Sequence, residues 1–339
     1  MPRTYRTIYV PVDNSGHSFA AIDLAVDVAA RFDARIVGSH VAASGGPAAD
    51  ATASCLDLLE ETCRSASVVF ERKTLDGRYH RIILEDIAKS HYDLVIMGGL
   101  GSGAVDESQI GSVAERVVRR AATDVLIVKD LIPDPEGPIL AAVDGSPQSL
   151  DALAAALELG RTLGHQVEAI VVGEGRMTGP ASNALQAARR AAAAEGVELE
   201  LTVSEGKPFD RIVKLCREKR PWLLAIGRTG AESEEGDDIG STTSNLLRLA
   251  PCNLLVTPGV RIPATLPKRE SAPAAAQIPA SAPRRSLKWT EEAERLLEDV
   301  PTDQRDDVIR TVEEGARKMG VAVITAETID RVMLGYIDS

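Results

Sequence analysis

The chain has 339 residues, with 50 acidic against 38 basic side chains and a formal net charge of −12. That balance gives no general attraction to nucleic acid phosphates or anionic lipid, so neither nucleic acid nor a membrane is an expected partner. A small acidic ligand then needs a local site. The length allows two or three domains of ordinary core size and no run reaches the length of a membrane span; the opening MPRTYRTIYVPVD passes from two arginines into a strand-like run, unlike a secretory signal. Cys55, Cys63, Cys216 and Cys252 have no CxxC spacing and read as buried thiols of a reducing compartment, which points to the cytoplasm.

In chain order, IYVPVDNSG (8–16) predicts a strand over 8–12 that ends in Val12-Asp13, then an amphipathic helix near 16–31 with Ala20, Leu24, Val28 and Ala29 at helical spacing. RIVGSHVA (35–42) is a second buried strand. A helix near 50–65, a strand SVVFERK (67–73) and a helix near 78–90 follow. The strand DLVIMG (93–98) leads into a glycine-rich loop, a helix from about 111, and the strand DVLIVK (124–129). The same order then returns in ILAAVDGSP (139–147), QVEAIVVG (166–173), VELELTVS (197–204), WLLAIG (222–227) and NLLVTP (253–258). Asp13 stands 85 residues before Gly98 and Asp144 stands 83 before Gly227, so the unit is duplicated. Strands apolar on both faces that alternate with helices call for a parallel sheet covered on each side. The expected class is a doubly wound α/β fold present twice, over 1–132 and 137–260. Ligands of such sheets bind beyond the carboxyl ends of the strands, where strand order reverses, and Asp13 and Gly98 are expected to meet there.

Two loops carry the most specific signal. MGGLGSGAVDESQIGSVAERV (97–117) and IGRTGAESEEGDDIGSTTSNL (226–246) both hold Gly-x2-Gly-x9-Gly-Ser while the nine intervening residues differ. Glycines after a strand permit positive φ or close backbone approach, and Gly-Ser then opens a helix whose free amides suit a phosphate. A ligand-free turn has no reason to keep a nine-residue gap while its contents drift. The motif is not Gly-x4-Gly-Lys-Ser/Thr, and it follows a late strand instead of the first.

On these residues the chain resembles the universal stress protein family, in its ATP-binding branch, over about 4–130 and 137–260. The resemblance implies an adenine nucleotide alpha hydrolase-like fold with ATP as the bound cofactor. By motif it implies Val12, Asp13, Val41, Gly98, Gly101, Gly111, Ser112 and Val113 for site one. For site two it implies Val143, Asp144, Val172, Gly227, Gly230, Gly240, Ser241 and Thr242. Val41 and Val172 rest on strand alignment alone. It further implies that DVLIVK and NLLVTP meet, making the halves an internal pseudo-dimer, with a homodimer of chains and an unidentified protein partner as further expectations.

The gap of the second loop carries Glu232, Glu234, Glu235, Asp237 and Asp238, against Asp106 and Glu107 in the first. Each carboxylate about 4 Å from a phosphate charge costs roughly 1 kcal/mol in water-like dielectric and several times that in a drier site. Arg228 inside the motif offsets part of this, and Mg2+ bridging carboxylates and phosphates would reverse the sign. Site one is therefore expected to bind ATP more tightly without magnesium. No metal-ligand set is read in the chain itself. Neither loop has a Ser-His-Asp or Cys-His arrangement, and His17 and His40 read as bystanders, so no catalytic residue is assigned. The leading expectation is a nucleotide-dependent stress-response regulator, with an interaction adaptor whose sites are degenerate, or a slow ATPase, as the alternatives.

Residues 261–286 hold five prolines and seven alanines in 26 positions, a composition that cannot bury enough apolar area to order itself and reads as a linker. From 287 to 339 the helical pattern returns, with Thr290, Thr302 and Thr325 placed as N-caps and Gly320 as a stop, predicting a small three-helix module. The run from Trp289 is similar to the small C-terminal domain of light-independent protochlorophyllide reductase over roughly 287–334. Trp289, Pro301, Arg305, Glu313, Ala316, Gly320, Ile324 and Thr325 fit its pattern. The resemblance implies no iron–sulfur ligand, and Trp289 reads as a core or docking residue.

Overall fold

The computed structural model describes residues 5–13, 15–42, 49–101, 110–129, 133–173, 179–231 and 238–258, and residues 288–290, 293–295, 305, 309, 312, 323–326, 328 and 329 of the C-terminal part. The first half runs β1 (Thr7–Pro11), α1 (Gly16–Phe32), β2 (Arg35–Ala42), α2 (Ala49–Ser65), β3 (Phe70–Asp76), α3 (Tyr79–Ser90), β4 (Leu94–Gly98), α4 (Ser112–Arg120) and β5 (Asp124–Val128). The second repeats it as β6 (Ile139–Ala142), α5 (Pro147–Leu163), β7 (Val167–Gly173), α6 (Pro180–Ala194), β8 (Glu200–Glu205), α7 (Pro208–Lys219), β9 (Leu223–Gly227), α8 (Ser241–Leu249) and β10 (Asn253–Thr257).

All ten strands share one sheet in the order β3-β2-β1-β4-β5-β10-β9-β6-β7-β8. Within each half the strands are parallel; the halves join through β5 and β10, which run antiparallel with Leu126 opposite Leu255. DVLIVK and NLLVTP therefore meet as expected. The strands alternate their side chains between two cores. Ile8, Val10, Ile96, Leu126, Ala141 and Leu255 pack on the face covered by α1, α2, α5 and α6. Tyr9, Val95, Ile127, Leu140, Leu224 and Leu254 pack on the face covered by α3, α4, α7 and α8. The β5 and β10 residues are buried throughout, because each strand covers what would otherwise be the open edge of the other half.

Local chemistry sets the helix ends. Ser15 caps α1 by accepting from the Ser18 amide, and Ser146 caps α5 by accepting from the Ser149 amide, with Pro147 in the first turn where its missing N–H costs nothing. Gly164 closes α5 in the left-handed region at φ 88°. The outer strands begin later than their apolar runs predict: β3 at Phe70 instead of 67, and β8 at Glu200 instead of 197. Ser67, at φ 60°, still belongs to the turn after α2, and Val69 is 70% exposed, so apolar character there does not mark a buried strand. Both β3 and β8 lie at sheet edges, where alternate residues face water.

The chain divides into two units, Met1–Leu266 and Pro267–Ser339. In the second, β11 (Lys288–Trp289) pairs in parallel with β12 (Val323–Ile324), an element that helical periodicity did not announce. Ala293, Val312 and Ile324 are buried against one another, with Trp289 and Ile329 packed on them, so Trp289 is a core residue of this unit. Thr290 and Thr325 cap as expected, accepting from the amides of Ala293 and Thr328 at 3.3 and 3.2 Å. Thr302, Gly320 and the 261–286 segment lie outside the described residues, as do Asp106, Glu107 and the gap residues 232–237.

Candidate functional site

In each half the strand order reverses between the first and fourth strands, β1 with β4 and β6 with β9. Val12-Asp13 and Val143-Asp144 emerge at that point. The Asp13 amide donates to the Ser18 hydroxyl oxygen at 2.9 Å, and Asp13 Oδ1 accepts from the Ser15 amide at 3.0 Å. The Asp144 amide and carboxylate do the same with Ser149 and Ser146, at 3.3 and 2.9 Å. The turn after each first strand is thus the pattern Val-Asp-x-Ser-x2-Ser, in which the two serines lock the aspartate and start the helix. The Val-Asp ending and the serine turn are written in both halves of the sequence, while the second serine, three residues on, has no part in the glycine motif.

The flanking strands bring the other expected residues to the same end. β1 pairs with β2 so that Pro11 faces Ser39, and the same register continued by two residues sets Asp13 level with Val41. β6 pairs with β7 so that Ala142 faces Ile170, which sets Asp144 level with Val172. Val41 is buried in the core and Val172 packs on it, so what they turn toward the strand ends is backbone. The Val12 and Val143 side chains are likewise buried, in the opposite core. His40 donates from Nδ1 to the Val12 carbonyl at 3.1 Å and is 7% exposed. It braces the strand end. The Cys55 thiol donates to the Asp13 carbonyl at 2.8 Å. Burial, with a smaller contribution from the Asp13 charge, pushes this thiol up to about 11.

The glycines explain why the loop follows this course. A Cβ on Gly98 would lie 2.9 Å from the His17 backbone carbon, and one on Gly227 would lie 2.9 Å from that of Gln148, so the strand ends and helix starts touch main chain to main chain. A Cβ on Gly101 would stand 3.0 Å from Asp13 Oδ2, and one on Gly230 only 2.6 Å from Asp144 Oδ2. Each loop thus folds its second glycine onto the first-strand carboxylate. The third glycine turns back beneath it: Gly111 donates to the Gly99 carbonyl at 2.7 Å and Gly240 to the Arg228 carbonyl at 2.8 Å. Gly111 and Gly240 are then the N-caps of α4 and α8, and neither supplies a side-chain cap. Ser112 and Ser241 are exposed at those ends, with Val113 and Thr242 half-buried behind them. An uncapped helix start leaves amide donors and the positive end of the helix dipole facing the space beside the aspartate.

The second site carries further contacts. Asp144 Oδ2 also accepts from the Ala231 amide at 2.8 Å. Burial alone would push the Asp144 carboxyl up, but the bonds from Ser146, Ala231 and Ser149 outweigh it and hold the group below the ordinary carboxylate range. The Thr243 hydroxyl donates to the Gly227 carbonyl at 2.7 Å, tying α8 to the end of β9; Ala114 occupies the matching place in α4. The Asp238 charge of the gap acts on Arg228, and burial outweighs it in holding the guanidinium below its ordinary value. Its Nη1 donates to the Ala121 carbonyl at 2.8 Å, in the other half. Among the described residues no group of three or more His, Cys, Asp or Glu side chains is placed to hold a metal ion, and no helix is long and apolar enough to cross a membrane.

Comparison with known proteins gives one consistent answer. The profile of the universal stress protein family matches residues 4–129 and 137–258, one copy on each half of the sheet. A universal stress protein of Methanocaldococcus jannaschii is 31% identical over 140 residues, 37% of this chain and 82% of its own. The crystal structure of a universal stress protein from Archaeoglobus fulgidus covers 74% of this chain and 97% of its own at 21% identity and a TM-score of 0.58, a likeness of fold. A solved universal stress protein described in complex with cAMP covers 37% of this chain and 97% of its own, at 27% identity and a TM-score of 0.32. With its fold, its duplicated strand-end loops and two matches to the family profile, the chain belongs to the universal stress protein family.

Proposed function

We propose that this protein binds ATP at the two strand-end clefts and acts as a nucleotide-dependent regulator of a stress response. The observation that carries the reading is the same in both halves: a loop glycine lies so close to the first-strand carboxylate that a Cβ on it would meet Oδ2 at 3.0 Å in one half and 2.6 Å in the other, and a helix start without a side-chain cap follows. A side chain at Gly101 or Gly230 would fill the passage between aspartate and loop. The amides of Ser112-Val113 and Ser241-Thr242 would hold phosphates, while the Val12-Asp13 and Val143-Asp144 strand ends, with Val41 and Val172 beside them, would hold the nucleoside.

Site two favours a second reading, that of an adaptor with one degenerate site. Its loop gap carries five carboxylates against two in the first loop, and each of them near a phosphate repels it. Site one is then the tighter site in the absence of Mg2+. Calorimetric titration with ATP, without magnesium, tests both readings on the intact chain and on Gly101→Asp and Gly230→Asp. An added carboxylate should weaken its own site by about tenfold or more, equivalent to roughly 1.4 kcal/mol. The expected result is the larger loss from Gly101→Asp; equal losses would remove the ranking, and no heat from the intact chain would remove the nucleotide. We place the protein in the cytoplasm on its four buried cysteines, none of them in a disulfide. The C-terminal unit, with its resemblance to the small reductase domain, is assigned the role of presenting a protein partner.

A further inference from the structure

Lys129 and Arg228 form a crossed pair of ties between the halves. Lys129 follows β5 in the first half, and its Nζ donates to the carbonyls of Leu247, Arg248 and Ala250 at 3.0, 3.2 and 2.8 Å. Those carbonyls end α8, in the second half. Arg228 follows β9 in the second half and donates to the carbonyl of Ala121, the residue that ends α4 in the first. A helix leaves its last four carbonyls without partners, and a cation there answers both the unmet acceptors and the negative end of the dipole. Here each helix receives that cation from the opposite half.

The positions are complementary, not equivalent. The place matching Lys129 in the second half is Pro258, and the place matching Arg228 in the first is Gly99. A Cβ on Gly99 would lie 3.0 Å from Lys129 Cγ, so the lysine stem needs a glycine in its own loop. The backbone of Lys129 is also fixed from across the seam, by its amide donating to Asn253 Oδ1 at 3.0 Å. One half therefore supplies its cation from the strand end and the other from within the glycine loop.

We propose that Lys129 and Arg228 are crossed positioning residues: each fixes, from one half, the helix whose N-terminus forms the phosphate cradle of the other. The inference rests on the phosphate reading of Gly111-Ser112 and Gly240-Ser241. Both α4 and α8 are nine residues long, so each is a rod of about 14 Å, and a shift where it is gripped displaces the amides at its far end. Because Arg228 lies between Gly227 and Gly230, anything that moves the second loop also pulls on α4 and hence on site one.

The test uses full-length chains with one site weakened, and the titration is fitted with two sites. In Gly230→Asp the unsubstituted site is site one, and in Gly101→Asp it is site two. Arg228→Met and Lys129→Met keep much of each stem and delete the charge. Arg228→Met should weaken ATP binding to the Gly230→Asp chain by about fivefold, the low end of ordinary coupling between sites, and Arg228→Lys should restore part of it. Lys129→Met should weaken binding to the Gly101→Asp chain by a similar factor and leave the Gly230→Asp chain within twofold. Loss at both sites alike, or at neither, overturns the proposal. Amide hydrogen exchange on the ligand-free chains decides the ties separately from the nucleotide. Arg228→Met should speed exchange in 112–120 and Lys129→Met in 241–249. Uniform or same-half acceleration counts against the ties, whereas crossed acceleration in a chain that binds no ATP keeps the ties and discards the nucleotide.

Discussion

At the scale of the residue, the motif glycines have separate tasks. Gly98 and Gly227 let a strand end touch a helix start, while Gly101 and Gly230 let the loop rest on a carboxylate. An alanine at Gly98 would bring its methyl to 2.9 Å from His17 backbone, a contact that no rotamer relieves. Gly98→Ala should therefore lower stability by about 1–3 kcal/mol, read as a lower midpoint in urea. Gly16→Ala is the control, since its Cβ meets nothing within 4 Å at the start of α1, and it should be neutral or slightly stabilising. Equal losses from the two would mean that the close approach at Gly98 is not what selects glycine. Spacing in the sequence shows that a glycine is needed at these places. It does not show which atom the missing side chain would have struck, because His17 and Gln148 lie about eighty residues earlier.

At the scale of the element, the best-determined features are those settled within a few residues. The starts of α1 and α5 are set by Ser15 and Ser146, each bonded to an amide three residues on, at 3.1 and 3.2 Å. Replacing either serine by alanine should cost about 1 kcal/mol, and thermal unfolding of Ser15→Ala, Ser146→Ala and the double variant checks it. The two caps lie in different halves and share no partner, so their effects should add. Strands in the middle of the sheet were legible for a related reason, since an unbroken apolar run has few other fates. The edge strands β3 and β8 were read three residues early at their starts. Their boundaries depend on where pairing with β2 and β7 begins, and not on local hydrophobicity.

At the scale of the whole molecule, the seam between β5 and β10 turns two repeats into one sheet and carries the least conventional charge in it. Burial pushes the Lys129 ammonium down to about 8. Its folded pKa lies below the unfolded value near 10.5, so the sign follows directly. Below pH 8 both states hold the proton and the full cost of burying the charge is present. Between about pH 8 and 10.5 the folded chain releases its proton first, and stability contributed by this group rises with pH. The gain is bounded by about 3 kcal/mol. Urea unfolding at several pH values should show that slope in the native chain and a flatter one in Lys129→Met, against the common background of the other groups. An identical slope in both would mean that the ammonium is not buried at the seam.

The amino-acid sequence by itself determined the duplication, the alternation of strands and helices, and the two glycine motifs. These follow from periodicity, from the steric needs of a turn and from caps a few residues apart, all of which are written in short windows. Only the tertiary structure decided that Arg228 answers a carbonyl 107 residues away as well as the Asp238 charge near it, and that Lys129 reaches three carbonyls more than 115 residues on. A long cationic side chain offers the same donors wherever it points. Which acceptors it meets is settled by the helix end that packing happens to leave within its reach.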